Sequence, residues 1–290
     1  MAYHSQMESF WRNLGVQLGK QWKVVLAVVA AITILLGFGL TQVEFATGQD
    51  SYLNPDSQIA IDNVEFQNNF GGESVILLFT ATDDGADITD LVDPPNFDTL
   101  NDVTEQLRAV DNVYSVITPP VSLEFSDALI NGAGRSALIG ASTRDTEGAA
   151  VRGADIQVGL ARLGEVENQT LGDPAWNDLL VYGNDGFEVV DGAVQAPADA
   201  DRAIRLSLAG TFPDQQTAVG GVVLDGNLDL DAQSAATEDV LAILDDVQLE
   251  GFELTVTGSP VYLKEINDYL QGGFLTLGAI ALGVMAVVLG

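Results

Sequence analysis

Residues 74–118 read SVILLFTATDDGADITDLVDPPNFDTLNDVTEQLRAVDNVYSVIT, and this stretch decides the fold. It opens at residues 74–80 with an uninterrupted apolar run, which is typical of a buried strand. The apolar residues that follow recur at helical spacing: Leu100, Val103, Leu107 and Val110. They predict a helix over residues 97–110. Residues 112–118 then predict a second strand, ended by Pro119-Pro120, so that the stretch forms one β-α-β unit.

A second unit of the same kind occurs late in the chain. Residues 216–224 predict a strand, residues 234–247 a helix, and residues 252–257 a closing strand. Two such halves separated by residues 121–213 predict an α+β domain of ferredoxin-like β-α-β repeats, with the helices on one face of the sheet. The two halves share this pattern but little residue identity, so an internal repeat stays unproven.

The segments around these two units are less regular. Residues 59–70 place apolar side chains on one side of a helix, and Gly71-Gly72 is a signal for its end. The insertion, residues 121–213, is predicted to be partly helical and then rich in loops. Within it, Asp191-Gly192 between two short apolar runs indicates a hairpin. Residues 202–208 predict a further strand.

Two long apolar segments lie near the ends of the chain. Residues 24–40 (VVLAVVAAITILLGFGL) carry no charge, and with the polar step after them they predict a transmembrane helix over residues 24–42. A cleaved signal peptide is the alternative, which the lack of a small-residue cleavage site disfavours. Residues 269–290 predict the start of a second transmembrane helix. Because the sequence is still apolar at Gly290, we expect it to be a piece of a longer protein.

The N-terminal residues 1–23 are predicted to form a cytoplasmic helix that lies in the membrane interface. Their apolar side chains recur at helical spacing: Met7, Phe10, Trp11, Leu14, Leu18 and Trp22. The basic residues before the first apolar segment are Arg12, Lys20 and Lys23. Since basic flanks stay inside, we expect a multi-pass protein of the cell membrane with residues 43–268 outside the cell. The sequon at Asn168 is compatible with that location.

Acidic residues dominate the chain, with 42 Asp and Glu against 11 Lys and Arg and a formal charge of −31. Hydrophobic residues make up 47% of the sequence in periodic blocks, which argues against disorder. The composition therefore predicts an ordered surface for molar salt, where the Debye length falls to about 3 Å, and hence a halophilic source. No basic cluster is present to bind a nucleic acid backbone. The absence of cysteine excludes disulfides and thiol sites.

No catalytic, cofactor-binding or metal-binding residue is predicted, and the chain is not expected to be an enzyme. The only histidine is His4, on the cytoplasmic side, which rules out a Ser-His-Asp triad outside. A phosphate-binding G-x-x-x-x-G-K motif is also missing. Four residues imitate the start of a calcium loop: Asp225, Asn227, Asp229 and Asp231. Because Leu230 replaces the required glycine and Ala236 the final glutamate, an acidic surface turn is the better interpretation.

The order of these segments resembles the first half-repeat of the RND (resistance-nodulation-division) superfamily. It is most similar to the hydrophobe/amphiphile exporters related to the mycobacterial membrane protein large (MMPL) group, which include archaeal members. Two segments carry the resemblance: residues 51–79 (SYLNPDSQIAIDNVEFQNNFGGESVILLF) and residues 255–270 (TVTGSPVYLKEINDYL), the second with Gly258, Pro260 and Glu265. The insertion over residues 121–213 is not covered.

The resemblance implies an exporter driven by an ion gradient, with residues 43–268 as its first porter domain. Its expected partners are the lipid bilayer, hydrophobic or amphiphilic small molecules or lipids, and the remainder of the same transporter. A homo-oligomer is left open, and neither a cofactor nor nucleic acid is expected. The family's proton-relay acids belong to a later helix, so none is assigned here. Two alternatives stay open: a sensor or binding module anchored by two helices, and a protein-translocation accessory similar to SecD and SecF.

Overall fold

The structure is a computed structural model that describes residues 15–16, 19–40, 54–83, 85–134, 158–184, 186–191, 193–196 and 202–289. The chain divides into two units, residues 1–47 and residues 48–290. In the first unit, helix α1 (Trp22–Leu40) is apolar almost throughout, which confirms a helix at the first apolar segment. The predicted interfacial helix over residues 1–23 lies mostly outside the described residues.

The second unit contains the remaining elements. In chain order these are α2 (Gln58–Phe70), β1 (Ser74–Ala81), α3 (Asn96–Arg108), β2 (Val113–Ile117), α4 (Pro119–Leu129), α5 (Pro174–Val181), β3 (Glu188–Val190), β4 (Ala193–Gln195), β5 (Thr217–Leu224), α6 (Leu230–Asp245), β6 (Phe252–Gly258) and α7 (Ser259–Leu289). Residues 158–165 are also helical, and a short 3-10 helix spans Ile88–Leu91. The four strands and two helices predicted for the two β-α-β units are all confirmed.

Four strands form the main sheet in the order β2-β5-β1-β6, and every neighbouring pair is antiparallel. Phe79 in β1 sits opposite Ala218 in β5 and Leu254 in β6, which fixes the register at the centre of the sheet. Helix α3 connects β1 to β2, and helix α6 connects β5 to β6. The fold is therefore α+β, as the sequence predicts.

Strand β1 is buried on one face only, although its unbroken apolar run predicts burial on both. Val75, Leu77 and Phe79 are fully buried against the helices, whereas Ile76 on the other face is 42% exposed. This alternation is what an antiparallel sheet with one covered face requires. The uncovered face of the sheet thus carries an exposed apolar side chain at Ile76.

Helix α6 begins four residues earlier than the sequence predicts. The side chain of Asp229 caps it by accepting a 2.8 Å hydrogen bond from the backbone N–H of Ala232. An aspartate at this position satisfies one of the N–H groups that the first helical turn leaves free. The same aspartate belongs to the four residues that imitate a calcium loop, and its capping role explains its presence.

The described part of the insertion packs into the same hydrophobic core as the sheet. Its fully buried members include Trp176, Leu180, Tyr182 and Phe212. Burying each such side chain stabilises the fold by about 1.5–3 kcal/mol. Helix α4 and helix α5 are in contact, which extends the helical layer beyond the two β-α-β units.

The hairpin predicted around Asp191 is confirmed as strands β3 and β4, with Asp191 at φ 53° in the turn. The strand predicted over residues 202–208 is wrong. Ile204 makes one isolated bridge to Tyr182, and the backbone then turns, because Leu208 N–H donates to the carbonyl oxygen of Arg205. Leu206 lies in this turn, where 92% of it is exposed to solvent.

Helix α7 is 31 residues long, so it extends about 46 Å at the usual helical rise. Among the described residues it is the one helix long and apolar enough to cross a membrane, over Ser259–Ala286. Helix α1 contributes a shorter apolar stretch, Trp22–Leu35, in the other unit. Both segments that the sequence predicts as membrane-spanning are thus helical, and their insertion in a bilayer stays a prediction.

Candidate functional site

The junction between the sheet and the long helix is the first candidate for a functional site. Strand β6 ends at Gly258, which pairs with Val75 in β1, and α7 starts at the next residue. Gly258 has φ 125°, and a Cβ atom there would collide with the carbonyl oxygen of Ser74. Only glycine adopts this conformation at such close approach without strain. The sheet therefore passes into the helix with no linker between them.

The first turns of α7 pack against α6, which fixes the direction in which the helix leaves the domain. Pro260 and Asn267 are buried, and together with Leu263 they face Leu230 and Gln233 at the start of α6. Lys264 lies among acids: its Nζ is 3.8 Å from a carboxylate oxygen of Glu238 and 2.6 Å from one of Asp268. Beyond Gly272 the described side chains are exposed and almost all apolar. The junction therefore connects the domain to the apolar helix through packed and ion-paired side chains.

Three arginines in the insertion form a second candidate site, an arginine cluster of Arg162, Arg202 and Arg205. The guanidinium of Arg202 lies 3.7 Å from the centre of the Tyr182 ring and pairs with the carboxylate of Asp178. It also approaches Asp87 at 3.6 Å. Its Nε atom is buried without a hydrogen-bond partner. The cluster thus concentrates positive charge in a chain whose net charge is strongly negative.

Arg162 is the most deeply buried member of the arginine cluster, with 6% of its side chain exposed. Its Nη1 donates to the carbonyl oxygens of Tyr182 (3.1 Å) and Gly183 (2.8 Å) and to Asn184 Oδ1 (3.0 Å). Burial, and then the charges of Arg205 and Arg202, lower the pKa of Arg162 to about 10. Arg162 therefore stays protonated at neutral pH and acts as a hub of hydrogen bonds.

Arg205 binds backbone carbonyls in the same way. Its Nε donates to Leu180 at 3.0 Å and its Nη2 to Leu179 at 2.8 Å, both at the end of α5. Burial lowers the pKa of Arg205 and, as the main cause, that of Arg202. Because Arg162 and Arg205 donate to carbonyl groups of α5 and of the residues after it, they hold segments of the insertion to one another. Within the cluster, Arg202 alone approaches the first β-α-β unit, at Asp87.

Asp93 lies beside a buried amide near the start of α3. Asn177 is completely buried, and its Nδ2 donates to the carbonyl oxygen of Val92 (2.5 Å) and to Asp93 Oδ1 (2.8 Å). Burial raises the pKa of Asp93 to about 6, helped by the nearby Asp90, Asp173 and Asp87 and opposed by the hydrogen bond from Asn177. A perturbed acid in a cleft can mark a functional site. Here the neighbours that act on Asp93 are a buried amide and three other carboxylates, which indicates a structural role.

A cleft of about 430 Å³ opens between α3 and α6 on the outer side of the helical layer. Val103, Ile243 and Val247 form its apolar floor, and Asp102 and Asp246 stand at its edge. No group of three or more His, Cys, Asp or Glu side chains able to hold a metal occurs in the described part of the chain. The cleft is therefore open to solvent, with as many polar as apolar residues in its lining.

The residues that the sequence singled out are spread over the molecule. Asn227 has φ 57° and bonds to α2, while Asp229 caps α6, so these two serve the fold locally. Gly258 and Pro260 lie at the junction, and Glu265 is exposed on α7. His4 lies outside the described residues. The arginine cluster was missed, because its members are separated in sequence by up to 43 positions and have no motif in common.

Comparison with known proteins agrees with the architecture of the junction. Residues 166–290 match the model of the MMPL family. That range contains the last two strands of the sheet, α6 and the whole of α7. A protein of Methanocaldococcus jannaschii, MJ1562, whose name describes it as a membrane protein, is 27% identical over 99 residues, which is 33% of this chain and 26% of that protein. The aligned stretch thus spans about a quarter of the relative's length.

These matches indicate the class of protein. MMPL proteins are membrane transporters of RND type and not enzymes, and this is compatible with the expectation that the chain is not an enzyme. The matches support a membrane location and an RND or MMPL relationship for the C-terminal part of the chain. The resemblance seen at residues 255–270 lies inside the matched range, whereas residues 51–79 lie before it.

Proposed function

We propose that this chain is the N-terminal part of an RND-type exporter of hydrophobic or amphiphilic molecules or lipids, driven by an ion gradient. Residues 43–268 would be a porter-type domain that handles the substrate outside the membrane. One observation carries the proposal: the MMPL match runs without interruption from the sheet through Gly258 into the apolar helix α7. The matched range thus includes both the last two strands of the sheet and the helix that follows them.

The strand order supports a porter-type domain. If the four strands of the main sheet (β1, β2, β5 and β6) are renumbered 1 to 4 in chain order, their order in the sheet is 2-3-1-4, and all neighbours are antiparallel. One helix connects strands 1 and 2, and another connects strands 3 and 4. This order supports our proposal that the domain is ferredoxin-like, with two β-α-β units in one sheet. We propose that the insertion is a family-specific addition, attached to this core by shared apolar packing and by the hydrogen bond from Tyr182 to Asp87.

The orientation is part of the proposal. The basic residues ahead of α1 favour a cytoplasmic N-terminus, which puts the acidic domain outside the cell. This chain has no cysteine, so a single introduced cysteine reports its topology in a complete protein from which any cysteines elsewhere have been removed. We expect Asp102→Cys, on the exposed side of α3, to react in intact cells with a maleimide that does not cross membranes. If Asp102→Cys reacts only after lysis, the proposed orientation is wrong.

The transport function is tested with the complete protein in its own cells. We expect deletion of its gene to increase retention of the lipophilic dye Nile red, and reintroduction of the gene to restore the loss of dye. A protonophore or a sodium ionophore should mimic the deletion, since each collapses an ion gradient. Unchanged dye retention together with an unchanged membrane lipid composition in the deletion strain would contradict the exporter and favour a sensor.

A further inference from the structure

The loop ahead of α5 carries the one N-x-S/T triplet of the sequence, Asn168-Gln169-Thr170. We call residues 166–173 the sequon loop; they belong to no helix and no strand. Asn168 and Thr170 are exposed, and Gln169 between them is half-buried. An asparagine in such a triplet, on a surface loop of a protein outside the cytoplasm, is an acceptor for N-linked sugar.

The first half of the sequon loop is held through Gln169. Its Nε2 donates to the carbonyl oxygen of Leu163 at 3.0 Å, in the last turn of the preceding helix. The carbonyl oxygen of Gln169 accepts a 3.3 Å hydrogen bond from Nδ2 of Asn131. Gln169 thus faces the domain, and its two exposed neighbours, Asn168 and Thr170, are presented to solvent on either side of it.

The second half of the sequon loop is fixed to the helices around it. The carbonyl oxygen of Thr170 accepts a 3.1 Å hydrogen bond from the N–H of Asp173, whose side chain caps α5. Gly172 has φ 87° and lies so close to the ring of Phe97 in α3 that a Cβ atom would be 3.0 Å from it. The loop is therefore held by groups other than the side chains of Asn168 and Thr170.

The fold makes no use of these two side chains. Neither of them has a hydrogen-bond partner in the part of the chain that the structure describes. Other exposed asparagines do serve the fold: Asn131 donates to Asp127 Oδ1 at 2.7 Å, and Asn227 has φ 57° and bonds to α2. Since neither capping nor a turn explains Asn168 and Thr170, both remain accessible to an enzyme that reads the triplet.

We propose that Asn168 is a site of N-linked glycosylation. This inference rests on the proposed orientation, which puts residues 43–268 outside the cell, and it goes beyond the proposed transport function. The donor is a sugar chain carried on a polyisoprenyl phosphate or pyrophosphate, and the catalyst is a membrane-bound oligosaccharyltransferase. The hydroxyl of Thr170 is the second group that such an enzyme requires in the triplet.

The transfer is a substitution at the first sugar carbon, without oxidation or reduction. The Nδ2 atom of Asn168 loses one proton and forms a bond to C1 of the sugar. The bond between this C1 and the phosphate oxygen of the lipid breaks, and the lipid phosphate leaves with the electron pair. The product is a bulky, hydrated group on the amide. The sequon loop therefore lies on a solvent-facing side of the assembled transporter, away from the bilayer and from contacts between subunits.

The test uses the complete protein purified from its own cells. Trypsin cuts after Arg162 and next after Arg202, so the triplet lies in one peptide, residues 163–202. We expect mass spectrometry to find this peptide mainly with the added mass of a sugar chain, and fragmentation to place the addition on Asn168. A peptide of unmodified mass throughout would overturn the glycosylation.

Three variants separate N-linked sugar from other additions. We expect the modified fraction to fall to zero in Asn168→Gln and Thr170→Ala, and to stay within about twofold of the natural protein in Thr170→Ser, which keeps the hydroxyl. All three should fold, because none removes a hydrogen bond within the described residues. Sugar that persists in Asn168→Gln would be attached elsewhere in the peptide, such as at the Thr170 hydroxyl, and would overturn the proposal.

Labelling of Asp102→Cys in the same cells separates this inference from the orientation on which it rests. If the external maleimide reacts with Asp102→Cys but residues 163–202 carry no sugar, only the glycosylation is wrong. If the maleimide reacts only after lysis and the peptide is also unmodified, the orientation is wrong, and the glycosylation is wrong with it.

Discussion

The hydroxyl of Tyr182 donates a 2.6 Å hydrogen bond to Asp87, which is 95 residues earlier in the chain. Tyr182 follows α5 directly, at the end of the described insertion's helical part, and Asp87 caps the 3-10 helix after β1. Arg202 covers the face of the Tyr182 ring and approaches the same carboxylate. A residue of the insertion is thus fixed to the first β-α-β unit through a partly buried polar contact, which makes the insertion part of the domain.

Replacement of Arg162 tests how much the arginine cluster contributes to the stability of the folded insertion. Arg162→Met keeps much of the side-chain volume but removes donors from two carbonyl groups and one amide oxygen. Unmet buried acceptors cost about 1–3 kcal/mol each, so we expect a loss of about 3 kcal/mol in unfolding free energy. The melting temperature, followed by the fluorescence of the buried Trp176, should fall by about 6–12 °C.

Arg108→Met is the matched control for Arg162→Met. Arg108 pairs with Glu105 on the surface of α3, where 42% and 73% of the two side chains are exposed. Such a pair contributes about 0–1 kcal/mol, so the melting temperature should change by only a few degrees. Equal effects of Arg162→Met and Arg108→Met would show that the arginine cluster does not stabilise the domain.

Gly258 is predicted to be indispensable for the junction. Gly258→Ala places a methyl group against the carbonyl oxygen of Ser74 at a φ of 125°, so either the β1–β6 pairing or the start of α7 must shift. We expect a cost of about 3 kcal/mol or more. Gly251→Ala is the control, because Gly251 has φ 77° but open space around its Cβ position, so only the backbone strain of about 1 kcal/mol remains. Urea titration should separate the two variants, and a Gly258→Ala as stable as Gly251→Ala would contradict this packing.

Asp93 should make the domain less stable as the pH rises. Its pKa is about 6 in the folded protein and near 3.8 in the unfolded chain, so the folded state binds more protons between these values. Stability is therefore highest at low pH and falls between about pH 4 and pH 6. The full shift equals about 3 kcal/mol, and solvent screening at this half-buried site reduces the expected effect to about 1 kcal/mol.

Asp93→Asn should remove this part of the pH dependence. The asparagine keeps an oxygen that accepts the hydrogen bond from Asn177, so the packing is preserved. We expect the variant to melt about 2–4 °C above the natural protein at pH 7.5, and at nearly the same temperature at pH 4. A variant that melts lower at pH 7.5 would show that the charged form of Asp93 is stabilising.

Periodicity sufficed to predict the two β-α-β units, because each places its apolar residues on one face and closes against the same sheet. It failed at residues 202–208, where Arg205 binds backbone carbonyls of α5 and turns the chain. It also missed the start of α6, because Asp229 was interpreted as part of an acidic surface turn and not as a helix cap. Long-range polar contacts such as that of Tyr182 with Asp87 leave no periodic signal, which is why the arginine cluster was not predicted.

Two glycines added at the junction should impair transport without impairing folding. If movements of the domain pass to the membrane through the direct connection of β6 to α7, then two glycines inserted between Gly258 and Ser259 should weaken this coupling. We expect the complete protein with this insertion to fold and to reach the membrane, but to lose most of its Nile red efflux. The same insertion after Gly210, in an exposed turn with open space around it, is the control and should leave efflux unchanged. The two glycines remove the rigid connection between β6 and α7. Normal efflux with this variant would therefore show that transport does not depend on movements passed from the sheet to α7.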